Sequence, residues 1–137
     1  MKKFVTLLLC MLPVSLFAQV NDGIRQAMDH YDYETVVTLI EPDCQDSLLL
    51  ITKVQALKAM NRYPEAIGVL NSLILKDSTN TKVLIDLAEC YKLTGNSRRA
   101  ANCYQKAMNL QPENKFFRLQ FIRSLFCLLY TSPSPRD

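Results

Sequence analysis

The sequence predicts an all-α fold, a helix–turn–helix solenoid of stacked antiparallel helix pairs. The first observation is self-similarity at a period of 34 residues. Asn61-Arg62-Tyr63-Pro64-Glu65-Ala66 aligns with Gly95-Asn96-Ser97-Arg98-Arg99-Ala100, and Asn80 falls on Asn114. A period of that length marks a stack of helix pairs, because one pair cannot hide its apolar face alone. The second is helical spacing of apolar residues within the period, as in Leu84, Leu87, Ala88 and Tyr91. The third is punctuation: Asn61 and Gly95-Asn96 mark turns, and Pro112 marks a helix end.

Residues 1–18 read as a leader outside the fold. Lys2 and Lys3 form a positive start, Phe4 to Leu12 is an apolar run, and Pro13, Ser15 and Leu16-Phe17-Ala18 precede Gln19. That is the layout of a secretory signal peptide cut after Ala18. The apolar run falls short of the ~20 residues of a spanning helix, and Pro13 breaks it. Large leucines precede Cys10 where lipoprotein signals carry small residues. The Phe17-Ala18-Gln19 end resembles signal peptides of Bacteroidetes-type bacteria, which implies export to the periplasm or cell envelope.

Residues 21–44 read as a degenerate first repeat. Ile24, Ala27 and Met28 supply one short helix, and Val36, Val37, Leu39 and Ile40 the next. Tyr33-Glu34-Thr35-Val36 echoes Tyr63-Pro64-Glu65-Ala66 at an offset of 30, with Pro42 closing the unit early. Terminal repeats of a stack are commonly atypical.

Residues 47–80 form the first full repeat. Leu50, Val54 and Leu57 mark its first helix, with Lys53 interrupting the apolar pattern. Ala66, Leu70 and Leu73 mark its second helix. Residues 81–114 form the clearest repeat. Leu84, Leu87, Ala88 and Tyr91 lie on the first helix, and Ala100, Tyr104 and Pro112 on or after the second. Ala88 and Ala100 are small where two helices approach closely, and Tyr91 and Tyr104 fill the space beside them. This pattern resembles the tetratricopeptide repeat, W-x2-L-G-x2-Y then A-x3-F then P, with Leu84 in place of Trp.

Residues 115–126 continue the register. Phe121, Ile122 and Leu125 fall on Leu87, Ala88 and Tyr91, as the first helix of a further repeat whose partner helix is missing. Phe116, Phe117, Phe121 and Phe126 would each contribute roughly 2–3 kcal/mol if covered. A stack without a polar end-cap exposes its core face, so self-association through this helix is expected. Residues 127–137, from Cys127-Leu128-Leu129-Tyr130 to Asp137, resemble the translation of a sequencing adapter, which implies a non-native tail on a truncated chain.

The chain has 16 basic and 13 acidic residues; without the two ends, 13 and 12 remain. So even a balance gives no case for a nucleic-acid partner. Seven of the acidic residues lie between Asp22 and Asp46, against Arg25 alone, and read as solvated helix faces. Cys44, Cys90 and Cys103 remain as an odd set with no C-x-x-C spacing; Cys90 and Cys103 read as small apolar core residues. His30, in Asp29-His30-Tyr31-Asp32, is the one histidine and reads as an exposed turn residue rather than a proton shuttle or metal ligand. Three glycines leave no phosphate-cradling loop, and neither G-x-S-x-G nor H-E-x-x-H occurs. The expectation is therefore no catalytic residue, no metal, no cofactor and no small-molecule substrate.

The resemblance implies that the first helix of each repeat lines a concave groove. That face comprises Leu48, Ile51, Gln55, Lys58 and Ala59, then Lys82, Ile85, Glu89, Lys92 and Leu93, then Phe116, Leu119 and Arg123. Such a mixture of aliphatic and basic groups suits a protein partner, either an extended peptide or a helix. Ile51, Gln55, Ile85 and Glu89 occupy the places where chaperone-tail clamps carry Lys and Asn, which argues against a terminal-carboxylate clamp. The expected role is a protein–protein interaction scaffold; the alternative is an N-terminal docking module of a larger envelope protein whose remaining part is enzymatic or regulatory.

Overall fold

The computed structural model describes residue 16 and residues 18–131; most of the predicted leader and residues 132–137 of the predicted tail lie outside the described residues. The described chain is all-α. Helix α1 covers residues 18–29. It is followed by α2 (Tyr33–Leu39), α3 (Ser47–Ala59), α4 (Tyr63–Lys76), α5 (Thr81–Leu93), α6 (Ser97–Leu110) and α7 (Lys115–Thr131). No strand occurs among the described residues. Two compact units divide between Ala56 and Leu57.

The 34-residue period has a backbone cause. Among the described residues three adopt left-handed φ, Tyr31 (59°), Asn61 (60°) and Gly95 (79°), each in the turn closing a first helix. The same bond recurs behind each of them. The amide of Asp32 donates to the Ala27 carbonyl (2.8 Å), that of Arg62 to Leu57 (2.8 Å), and that of Asn96 to Tyr91 (2.7 Å). This is the helix-ending motif in which a left-handed residue lets the chain satisfy the last carbonyls and turn back. The spacing of 30 and then 34 residues is thus set by where these turns fall.

Helix starts are equally regular. Asn80 and Asn96 cap α5 and α6, their side-chain oxygens accepting from Val83 N and Arg99 N at 3.2 Å each. Asn114, one period after Asn80, accepts from Phe116 N at 3.1 Å. Asp32 caps α2 by accepting from the Thr35 amide (3.2 Å) and hydroxyl (2.6 Å). The hydroxyl bond first, then the amide bond, holds its carboxyl below the ordinary carboxylate range. Such caps satisfy amides that the first turn leaves without an intrahelical acceptor.

In the first unit, Ile24 and Ala27 of α1 bury against Val36 and Ile40, with Ala56 of α3 completing the core. Lys53, which interrupts the apolar pattern, has a structural task here: its ammonium donates to the Ile40 carbonyl at 2.9 Å, closing the end of α2.

In the second unit, α4 packs on α5, α5 on α6 and α6 on α7. Ala88 and Ala100 are fully buried where close approach was predicted, and Tyr91 and Tyr104 are buried beside them. Leu84, Ala107 and Phe117 form one cluster contributed by three successive helices, flanked by Ile74, Ile85 and Met108. Arg99 lies 5.6 Å from the centre of the Tyr91 ring, a cation–π contact across the α5–α6 pair.

Two boundaries differ from the sequence reading. Helix α1 starts before Asn21, at Ala18, the last residue of the predicted leader. Helix α7 runs five residues beyond Phe126, because Cys127-Leu128-Leu129-Tyr130-Thr131 contains no helix breaker before Pro133. Among the described residues no helix is long and apolar enough to cross a membrane.

Candidate protein-binding surface

The groove residues lie on the first helix of each repeat, α3, α5 and α7, and differ in accessibility. In the first unit, Leu48 and Gln55 are exposed and Ile51 is half-buried. In the second unit, Lys82, Lys92, Phe116, Leu119 and Arg123 are exposed, and Ile85 and Glu89 are half-buried. Opposite sides of the same helices are closed: Val83, Leu87 and Cys90 on α5, and Phe117 and Ser124 on α7, are buried. Register explains the pairing. Lys82 and Phe116, Ile85 and Leu119, and Glu89 and Arg123 are each one period apart, so α5 and α7 present equivalent positions with different chemistry.

Lys58 behaves differently from the other cations of the face. Its ammonium donates to Asp86 Oδ1 at 2.7 Å and to Glu89 Oε2 at 3.0 Å, joining the end of α3 to α5. Burial works against its charge, but the two carboxylate bonds outweigh that, so its pKa is raised above the ordinary lysine value. Sequence reading placed Lys58 and Glu89 on the face but not in contact, and missed Asp86. A lysine and two acids at separations of 28 and 31 residues, close to the period, was the available signal.

Cys90 and Cys103 are buried and carry no disulfide. Burial is the first cause pushing both thiols up, away from the reactive thiolate. His30 lies in an exposed turn with Nδ1 3.0 Å from the Gln26 carbonyl. Among the described residues no group of three His, Cys, Asp or Glu is placed to hold a metal ion.

Each unit has a cavity among its described residues. One of about 490 Å³ in the first unit has Val20, Leu39 and Leu49 on its wall with Glu41, Asp43 and Asp46 beside them. The other, about 260 Å³, lies in the second unit among α5, α6 and α7, with the groove residues Lys92 and Arg123 on its wall beside Ser97, Gln120 and the buried Ser124.

Known proteins share this architecture. Residues 57–120 match the family model for the tetratricopeptide repeat. A tetratricopeptide repeat protein 30 homolog of Aedes aegypti is 40% identical over 65 residues, 47% of this chain and 10% of that protein. The chain thus spans about a tenth of that relative's length. Among solved structures, the first repeat domain of Spaghetti (RPAP3), bound to an HSP90 peptide, aligns with TM-score 0.64 at 15% identity, covering 85% of this chain and 92% of that one. The Arabidopsis OM64 repeat domain aligns with TM-score 0.64 at 15% identity, covering 80% and 93%. The Yersinia enterocolitica type III secretion chaperone SycD, in complex with a peptide of the translocator YopD, aligns with TM-score 0.61 at 19% identity, covering 85% and 92%. Residues 57–120 therefore match the tetratricopeptide repeat, and the described chain has the all-α helical-repeat fold.

Proposed function

We propose that this protein is a non-catalytic interaction scaffold that binds a peptide or a partner helix on the first-helix face of its repeats. The observation that carries the reading is the α5–α7 face of the second unit. There, Lys82, Lys92, Phe116, Leu119 and Arg123 stay open to solvent on helices whose other sides are buried. Exposed apolar groups flanked by cations suit an amphipathic segment, and such a short face supports affinity in about the micromolar range. Two proteins of the same fold were solved with peptides, which supports the same use of the fold here.

The test is selection of short peptides from a displayed random library by the full chain, followed by affinity measurements. Replacing Lys82 with Glu and Leu119 with Asp should weaken selected peptides at least roughly tenfold while leaving helicity intact. Unchanged affinity in that variant would reject this face. Lys58 is a poor probe, because its two ion pairs would be broken along with any ligand contact.

A second reading is a docking module within a larger envelope protein; in the mosquito relative the matching segment is a small part of a longer chain, which supports the module half of that reading. The Lys2-Lys3 start and the apolar run behind it support export, and processing should give a chain beginning at Gln19. The exposed apolar face of α7 supports pairing with a second copy of this chain, through Ile122, Leu125 and Phe126.

A further inference from the structure

The Lys58 arrangement has a counterpart one period later, with its charges changed. Lys58 faces Asp86 and Glu89. The residues 34 positions on are Lys92, Gln120 and Arg123, and all three line the cavity of about 260 Å³. Where the first lysine meets two carboxylates, the residues in the same register around the second are an amide and a guanidinium. No carboxylate lines this cavity. Neither Lys92 nor Arg123 forms an ion pair among the described residues. Two cations facing one concavity repel each other, and an entering anion relieves that repulsion as well as pairing with each. Ser97 adds a hydroxyl, and Ala100 and Phe126 supply an apolar wall.

We infer that this cavity is the acidic-residue subsite of the proposed peptide face. It takes the side-chain carboxylate of an Asp or Glu in the partner segment. The inference rests on the peptide-binding reading above and adds its specificity. The volume lies below the ~300–1,000 Å³ of small-molecule pockets, and suits one anchored side chain. Arg123 can offer a planar pair of donors and Lys92 a point charge, a combination matched to a carboxylate.

The test uses peptides selected by the full chain from a displayed random library. They are resynthesised with amidated C-termini, and each Asp or Glu is replaced in turn by Asn or Gln. With the natural protein, one such replacement should weaken binding roughly tenfold, the size of one charge-assisted bond. With the Lys92→Gln/Arg123→Gln variant, the acidic peptide and its amide version should bind alike, while Lys92→Arg retains the preference. Raising the salt concentration should shrink the difference.

Selected peptides that need no acidic residue, or an acidic requirement that persists in the double variant, would overturn the subsite while leaving the peptide face standing. Dependence on a free C-terminal carboxylate, or a preference for phosphoserine over Asp and Glu, would also overturn it. Failure to select any peptide would remove the subsite and the face together.

Discussion

Lys58 and Asp86 stand 2.7 Å apart, ammonium to carboxylate, with Glu89 3.0 Å away on the next turn of α5. The three groups are partly screened from water, so the bonds contribute more than an exposed pair and less than a buried one. Replacing Lys58 with Ala leaves two acids side by side without their cation. The expected loss is about 1 kcal/mol in urea unfolding, reduced in high salt. A double-mutant cycle with Asp86→Asn should return a coupling of about 0.5–1 kcal/mol; strict additivity would mean that the contact carries no stability.

The pH dependence follows from the same group. The folded pKa of Lys58 is raised above its unfolded value, so its contribution is complete below the ordinary lysine pKa of about 10.4. It is then lost as pH rises through the folded value. The stability difference between the natural protein and Lys58→Met should be flat from neutral to about pH 10 and fall away in stronger alkali. Asp32 and Asp77 work in the other direction. Hydrogen bonds from Thr35 and Thr79 lower both carboxyl pKa values, so their contribution is present above the ordinary value of about 3.9 and is lost as pH falls through the folded ones. Asp32→Asn should flatten the acid limb of the stability curve, and an unchanged limb would contradict that assignment.

Much of the fold was legible because the repeat is written in small and turn-forming residues. Ala88 and Ala100 declare close helix approach, and Gly95 a turn, from side-chain size alone. Tyr31 was harder, since a tyrosine does not advertise positive φ; only its place 30 residues before Asn61 does. Lys53 looked like a defect in an apolar stripe, because the carbonyl it closes, at Ile40, belongs to another helix. The surface was legible as a face but not as chemistry. Lys58 and Lys92 are the same residue in the same register, and only the partners across the helix gap separate a neutralised cation from an open one.

The left-handed turn positions make a second stability test. Gly95 has φ of 79°, and a Cβ added there would meet nothing within 4 Å. Gly95→Ala should therefore cost about 1 kcal/mol purely through backbone strain. Tyr31 is exposed at φ 59°, so Tyr31→Gly relieves strain while losing the edge contact with Tyr33 at 6.2 Å. The two effects should nearly cancel, leaving the melting temperature within a few degrees of the natural protein. A large loss at Tyr31 would mean that its ring, rather than its backbone, holds the turn.

Helix α7 resembles α5 in register but not in burial, and the difference isolates what a second helix covers. Val83 and Cys90 are buried on α5, and their counterparts Phe117 and Ser124 are buried on α7. Ala88 and Tyr91 are buried too, yet their counterparts Ile122 and Leu125 are 42% and 40% exposed. Arg118, which replaces Leu84 in register, turns outward and donates to the Pro112 carbonyl at 3.0 Å. The uncovered side of α7 thus carries Ile122, Leu125 and the 55% exposed Phe126 as a contiguous apolar row. Water contact along that row should drive the chain to pair with itself. Sedimentation over a range of concentrations should show mass rising with concentration for the natural sequence. Ile122→Lys with Leu125→Lys should give a monomer of unchanged helicity, since neither side chain is buried in the single chain. A natural sequence that stays monomeric and melts sharply would show that the row is tolerated in water and takes no second copy.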